Sequence, residues 1–463
     1  MWGGGYVTDI AYTAHYFHHI APSHIDFILT MKGLQASASD ASFDYMELGC
    51  GHGLTTLILA AAYPRARFWA NDFNPAHIQR ARRIAAAAGL ANVTFLETAF
   101  ADLAAAGLPE MDYVSAHGIY SWVTEDNQNA LVAFAGDRLK PGGIFSVSYN
   151  IMPGWSPLAP LQWLARAYAD GLTGPSDRRM AQSIQFLEGL AATGAGYFAP
   201  GSRVGPAVEK MKAGAPSYVA HEYLNAAWHL LTHHAVAERL AAVKLAFAAS
   251  ADTPLLVERL VLPDVPRKAV EGLSGHPLRE TVIDYLRGNN FRRDIFVKGG
   301  MRMRDQARER AIARQPLALV RPRAACKLEA PFPVGNVKLA EQPHARMLDR
   351  LAEGPATVGE LAGAPSGEPL ALGIQALLRL AAAGHVTACA LGWAGSPDPD
   401  AVEATRRLNR VLLDPDALPE RAHVLASPVT GGGVAVPADA RAALQDGGGS
   451  AEDRALLTRL GLA

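Results

Sequence analysis

The sequence predicts an α/β protein built on a doubly wound, mainly parallel sheet. Three observations carry this. A glycine-rich turn joins strand to helix at Tyr45–Gly53, a carboxylate ends the next strand at Asp72, and five strand-like runs alternate with helical ones as far as Asn150. Such β-α alternation implies right-handed crossovers, with ligands at the carboxyl ends of the strands.

The first strand, YMEL, ends at Glu47–Leu48 and enters Gly49, Gly51 and Gly53; the helix-forming run LTTLILAAA starts at once. Glycines at such a turn permit positive φ and let a ligand lie against bare backbone. The helix N-terminus adds free N–H groups facing the crevice. On these nine residues alone a plain tight turn is the alternative. ARFWAND (Ala66–Asp72) is the second strand, and Asn74 and Pro75 open the next helix as cap and first-turn residue. An acid ending that strand sits beside the first glycine turn, where it can accept hydrogen bonds from both ribose hydroxyls. NVTFLETAF (Asn92–Phe100), MDYVSAHG (Met111–Gly118) and GGIFSVSYN (Gly142–Asn150) are strands three to five, the last after an LKPGG turn.

Composition fits a large water-facing protein. With 463 residues, 49% of them hydrophobic, the chain can bury two or three cores. Basic and acidic side chains number 43 and 44, so no overall field favours nucleic acid or an anionic membrane. No apolar run reaches the length of a membrane span, and MWGGGYVTDI does not read as a signal sequence. Three scattered cysteines, Cys50, Cys326 and Cys389, make neither a disulfide framework nor a zinc site. A cytoplasmic location is expected.

A nicotinamide-binding Rossmann domain is the rival, but its G-x-G-x-x-G spacing is absent: the turn here reads G-x-G-x-G and continues into Leu54. ELGCGHG, the acid-ended second strand and LKPGG before strand five together resemble a class I S-adenosylmethionine-dependent methyltransferase, over about the first third of the chain. The phrases GYVTDIAYTAHYF, ANDFNPAHI, AHGIYSWV and SYNIMPGW are similar to a bacterial subfamily carrying a methyltransferase regulatory domain. That subfamily is similar to bacterial protein-lysine methyltransferases that act on outer-membrane proteins.

The resemblance implies a Rossmann-like seven-stranded methyltransferase sheet with helical insertions. Residues 1–150 would be the S-adenosyl-L-methionine-binding core with an N-terminal lid. Residues 151–300 would be a helical regulatory or substrate region. It would return to the sheet through VKLAFAASAD (Val243–Asp252) and FRRDIFVKG (Phe291–Gly299) as an antiparallel edge pair. Tyr218–Phe247 has helical apolar spacing for much of its length. Residues 301–325 are expected as a linker, and 326–463 as a smaller winged-helix-like α+β domain. Its recognition helix, IQALLRLAAAG, offers only Gln375 and Arg379 to a duplex, so a packing or protein-docking role is preferred. The glycine runs at Gly431 and Gly447 read as loops.

Site roles follow from the same resemblance. Gly49, Gly51 and Gly53 would admit the methionine part and ribose, Glu47 would orient the loop, and Asp72 would take the ribose hydroxyls. Phe73 would cover one adenine face, and Phe100 would bring a backbone N–H to its edge. Ala99 departs from the acidic residue often found beside it; Asp102, one turn later, is a possible substitute. His117, ending strand four, would face the methionine portion, and is grouped with Tyr120 and Trp122 as a catalytic candidate. Tyr12 and Tyr16, at helical spacing in the lid, would reach substrate; an amphipathic helix docked on the sheet is the alternative. His15 and His19 are spaced for a shared metal, but no carboxylate or cysteine completes a set, and no metal is expected.

Methyl transfer needs nucleophile, carbon and sulfur in line, and placing the acceptor in that geometry can supply up to about 7–11 kcal/mol. A lysine acceptor must also shed a proton, which a dry aromatic mouth favours. GIYSWV would provide one, with Tyr120 and Trp122 along an acceptor channel and Glu125 or Asp126 at its rim; packing of the loop is the alternative. AHGIYSW stands where methyltransferases of planar nitrogens carry an N/D-P-P-Y ending, which disfavours adenine or glutamine acceptors. Three readings remain: a methyltransferase of protein side chains with lysine preferred, a methyltransferase of a small metabolite, and a cofactor-binding regulator reaching DNA. The partner is thus a protein or small-molecule methyl acceptor, nucleic acid is disfavoured, and a homodimer stays open.

Overall fold

Seven strands form the main sheet: β1 (Asp44–Leu48), β2 (Arg67–Asp72), β3 (Val93–Glu97), β4 (Met111–Ala116), β5 (Leu139–Asn150), β6 (Leu245–Ser250) and β7 (Phe291–Lys298). Their order in the computed structural model is β3-β2-β1-β4-β5-β7-β6, with β1 to β5 parallel and β7 antiparallel to both neighbours. The described residues are 5–35, 41–362, 370–419, 423–436, 441, 444 and 450–462. The expected edge pair is therefore present, with β7 slotted inside β6. The LKPGG turn lies within β5. There the pairing with β4 slips between Met111 and Tyr113, because Pro141 has no N–H to give and Gly142 sits at φ +82°.

The helices of the first part are α1 (Pro22–Met31), α2 (Leu54–Ala62), α3 (Pro75–Ala87) and α4 (Glu125–Arg138). Asn74 caps α3 by accepting from the Ala76 N–H, as its sequence signature predicts. Every residue of α2 is buried, which explains why LTTLILAAA carries no polar face.

From strand five the chain builds α5 (Ala159–Asp170), α6 (Ser176–Ala192), α7 (Val204–Ala213) and α8 (Pro216–Tyr223), a bundle with its own apolar core. Tyr218–Phe247 is not one helix. The Leu231 N–H bonds the Asn150 carbonyl at the end of β5, and Thr232 then caps a separate helix, α9 (His233–Ala241). Helices α10 (Asp264–Glu271) and α11 (Arg279–Arg287) lead into β7. Inside β7, buried Arg292 binds Asp294, Asp284 and Glu280 together.

The stretch expected as a linker is structured. It carries α12 (Asp305–Arg314) and β8 (Pro316–Leu319). A hairpin of β9 (Glu329–Phe332) and β10 (Gly335–Lys338) follows, then α13 (Glu341–Glu353), β11 (Ala356–Thr357), α14 (Val358–Ala362), α15 (Leu370–Ala382) and β12 (Val386–Ala388). Strand β8 is central to the small sheet β11-β8-β12, so the winged-helix-like unit begins before residue 326. Its apolar core is continuous with that beneath the main sheet, running from Tyr45, Phe68 and Tyr113 to Leu317, Leu348 and Leu377.

The final segment, α16 (Pro399–Leu412), β13 (Val424–Ser427), β14 (Gly432–Ala435) and α17 (Ala451–Arg459), packs on α2 and α3. The glycine run at Gly431 is the turn and start of the β13–β14 hairpin rather than a free loop, and a Cβ on Gly432 would strike the Tyr16 hydroxyl, one on Gly433 the Tyr16 ring. Gly447 lies outside the described residues.

Candidate active site

A crevice of about 890 Å³ opens at the carboxyl ends of β1 to β5. Its floor is the turn from β1 to α2. Gly49, Gly51 and Gly53 all have positive φ, but they serve different ends. A Cβ on Gly49 would meet Ile119 at 2.5 Å, and one on Gly53 would meet Phe95 at 2.6 Å, so these two let neighbours close in. Gly51 faces open space, with Tyr12 Cδ1 the nearest atom at 3.9 Å from such a Cβ. It is the bare-backbone approach the motif implies.

Asp72 ties the first two loops together. Its Oδ2 accepts the Gly51 N–H at 2.9 Å, and its Oδ1 accepts the Asn74 N–H at 2.8 Å with His77 Nδ1 at 3.3 Å. Glu47 is buried beneath the turn, where its carboxylate accepts the Thr56 hydroxyl. Burial raises that carboxyl to about 7, against the pull of the Thr56 hydroxyl and N–H. At the end of β4, His117 Nδ1 lies 2.7 Å from His19 Nε2 and 2.8 Å from Ser148 Oγ. Burial, then the charges of Arg293 and His15, lower His117 to about 3, so the imidazole is neutral at physiological pH.

The roof comes from distant sequence. Residues 6–17 cross the crevice as an irregular strap rather than as a helix, with Tyr6, Tyr12, Thr13, Ala14, His15 and Phe17 on its wall. This strap is fastened at both ends. His52 Nε2 lies 2.9 Å from the Tyr12 carbonyl, the Val7 N–H donates to Asn225 Oδ1 at 3.0 Å, and Asp9 accepts from Ser176. Helices α7 and α8 complete the roof with Lys210, Met211, Tyr218, Val219, Glu222 and Tyr223. Burial pushes the Glu222 carboxyl up to about 7, while Lys210 and the Tyr218 hydroxyl pull it down.

Several expected positions need correcting. Phe73, Phe100, His117, Tyr12 and Trp122 do line the crevice. Tyr120 is absent from its wall: the ring is 1% exposed in the core between the sheet and α4, and its hydroxyl meets Arg239 at 3.4 Å. Tyr16 turns away to pack against the β13–β14 hairpin, because residues 6–17 follow an irregular path with neither helical nor strand periodicity to hold residues 12 and 16 on one face. Glu125 and Asp126 form the exposed first turn of α4, where acids suit the helix dipole, and Glu125 pairs with Arg239 at 3.2 Å. Asp102 is exposed and off the wall, so it does not replace the missing acid at Ala99. His19 Nε2 meets His117 Nδ1 at the end of β4.

Tyr6, Trp155, Lys210, Glu222 and Arg293 went unnoticed in the sequence and all line the crevice. Trp155 stands edge-on to Trp228 at 5.4 Å, and Trp228 stacks on Trp122 at 6.1 Å, forming an aromatic wall. The one available signal for Glu222 was a carboxylate among aromatics in SYVAHEYL.

The strand order, the open Gly51 backbone beside Asp72 and a crevice of this volume suit a nucleoside bearing an amino-acid arm, and define an S-adenosylmethionine-dependent methyltransferase of class I. Comparisons agree. Residues 46–143 match the family model of a methyltransferase domain, and residues 215–298 that of a predicted methyltransferase regulatory domain. The uncharacterized protein sll1526 of Synechocystis is 36% identical over 360 residues, covering 78% of this chain and 71% of that protein. The uncharacterized protein RP028 of Rickettsia prowazekii is 24% identical over 222 residues, 47% of this chain and 86% of its own length. Among solved structures, PKMT2 from Rickettsia typhi in complex with AdoHcy is similar in fold, with a TM-score of 0.67 at 17% identity over 94% of this chain and 88% of that one. The chain belongs to the class I S-adenosylmethionine-dependent methyltransferases that carry a methyltransferase regulatory domain. No helix among the described residues is long and apolar enough to cross a membrane.

Bound S-adenosylmethionine supplies a methyl carbon on a positively charged sulfur. The chain's own part is to hold and exclude. Gly51, Asp72, Phe73 and Phe100 line the crevice, and the strap with α7 and α8 roofs it.

Proposed function

We propose that the protein methylates the amino group of a protein side chain, lysine preferred. The observation that carries this reading is the aromatic wall of Trp122, Trp155, Tyr218 and Tyr223 beside the cofactor crevice. Aromatic faces attract ammonium groups and, where dry, ease loss of the proton that blocks attack. The AHGIYSW ending of strand four also lacks the residues that hold planar nitrogens.

A small-molecule acceptor is the second reading, favoured by the strap and α7–α8 that roof the crevice. A DNA-contacting role draws little support. Much of α15 is buried, including Ala376, Leu377, Leu378 and Leu380, and it offers few groups for base contacts.

The test is incubation with methyl-labelled S-adenosylmethionine and a lysate of the producing cell, with Asp72→Ala as control. Label in protein, recovered as methyllysine after hydrolysis, is expected. Label confined to small molecules would reject the protein reading.

A further inference from the structure

The regulatory domain is named in the family for regulation, yet it places a carboxylate inside the crevice. Glu222 projects from α8 into the same wall as Tyr12, Tyr218 and Tyr223. Tyr218 hydrogen-bonds it, and its negative charge reaches the hydroxyls of Tyr6, Tyr12 and Tyr223. Lys210 on α7 acts on it through space, and among the described residues no cation closes an ion pair with it. A partly buried carboxylate ringed by tyrosines and short of a counter-ion costs free energy in the empty protein, a cost that an incoming cation would offset.

We propose that Glu222, with the rings of Tyr12, Tyr218 and Tyr223, is the acceptor-binding site for a cationic amine, so that the regulatory domain selects the substrate's charge. This rests on the amine-methyltransferase reading above. An ammonium entering among these rings finds a hydrogen-bonded partner in the carboxylate. A neutral hydroxyl or thiol of equal length would leave the carboxylate unpaired. The burial that raises the Glu222 carboxyl to about 7 marks the same deficit, since the charged form is held without enough stabilisation.

The experiment uses the full chain saturated with S-adenosylhomocysteine and two probes, Nα-acetyl-lysine amide and its uncharged analogue Nα-acetyl-norleucine amide, titrated against tryptophan fluorescence. The wild type should bind the lysine probe about tenfold or more tightly than the norleucine probe. Glu222→Gln should remove that preference while leaving S-adenosylhomocysteine affinity unchanged, and Glu222→Asp should restore part of it. Equal binding of the two probes by the wild type would overturn the proposal without any variant. So would an undiminished preference in Glu222→Gln. A fall in S-adenosylhomocysteine affinity in Glu222→Gln would also overturn it, by assigning the carboxylate to the cofactor's own amine. Failure of the wild type to bind S-adenosylhomocysteine at all would instead defeat the cofactor reading beneath it.

Discussion

Replacing Asp72 by alanine separates the job the structure gives this carboxylate from the one its sequence position implies. In the empty protein it holds the Gly51 N–H at 2.9 Å and the Asn74 N–H at 2.8 Å. Orphaning a buried donor costs about 1–3 kcal/mol, so Asp72→Ala should lose roughly 2–4 kcal/mol of stability and several degrees of melting temperature. The second job, which the family resemblance implies, is to accept the ribose hydroxyls. A hydrogen bond to a charged group contributes about 1.5–3 kcal/mol, so each one lost should weaken binding about tenfold to a hundredfold. Calorimetric titration with S-adenosylhomocysteine, at a temperature where the variant is folded, measures this directly. If the dissociation constant stays within a factor of about two while the melting temperature falls, Asp72 is a loop fastener and the ribose assignment is wrong.

Trp122 lines the crevice and Tyr120 does not, so the two should part company: Trp122→Ala should lower kcat/KM about a hundredfold, while Tyr120→Phe should leave it nearly unchanged. Equal losses in both would return Tyr120 to the acceptor channel. Arg292→Met strips the cation from buried Asp294 and Asp284 and should cost about 3–5 kcal/mol in urea unfolding; an unmoved midpoint would mean the network contributes nothing net. Burial would raise the Asp294 carboxyl, but Arg292 and His233 outweigh it and hold the group lowered, at about 2. Its unfolded value is near 3.9, so it adds stability above about pH 4 that is lost as the pH falls through 2. The gap in melting temperature between wild type and Asp294→Asn should therefore narrow from pH 6 to pH 2, and a constant gap would refute the assignment.

Strands β1 to β5 were readable because their signals are local: glycines at a turn, an asparagine cap before a proline, a carboxylate at a strand end. The β6–β7 pair was readable from short apolar runs and the resemblance together. What could not be read is whatever depends on segments far apart in the chain. His19 meets His117 across nearly a hundred positions, and α8 roofs a floor laid down by the Gly51 turn. Tyr12 and Tyr16 look equivalent in sequence, yet the irregular strap sends one ring to the crevice and the other to the hairpin. Tyr120 and Trp122 likewise share a loop but not a fate, since the Tyr120 carbonyl, bonded by Gln128, turns its ring into the core. Glu125 and Asp126 lie in the exposed first turn of α4 between Thr124 and Asn127, which line the crevice.

The seat of Tyr16 has a practical consequence for dissecting this molecule. Because the ring is wedged against Gly432 and Gly433, the chain's two ends are stitched together over α2, and residues 6–17 owe part of their path to a hairpin more than four hundred positions away. A fragment trimmed after β7 would keep every residue of the floor and lose the peg that steadies its cover. Expression plans that treat the leading half as a free-standing catalyst should expect a loose, poorly active product, and tags are better placed away from the β13–β14 turn.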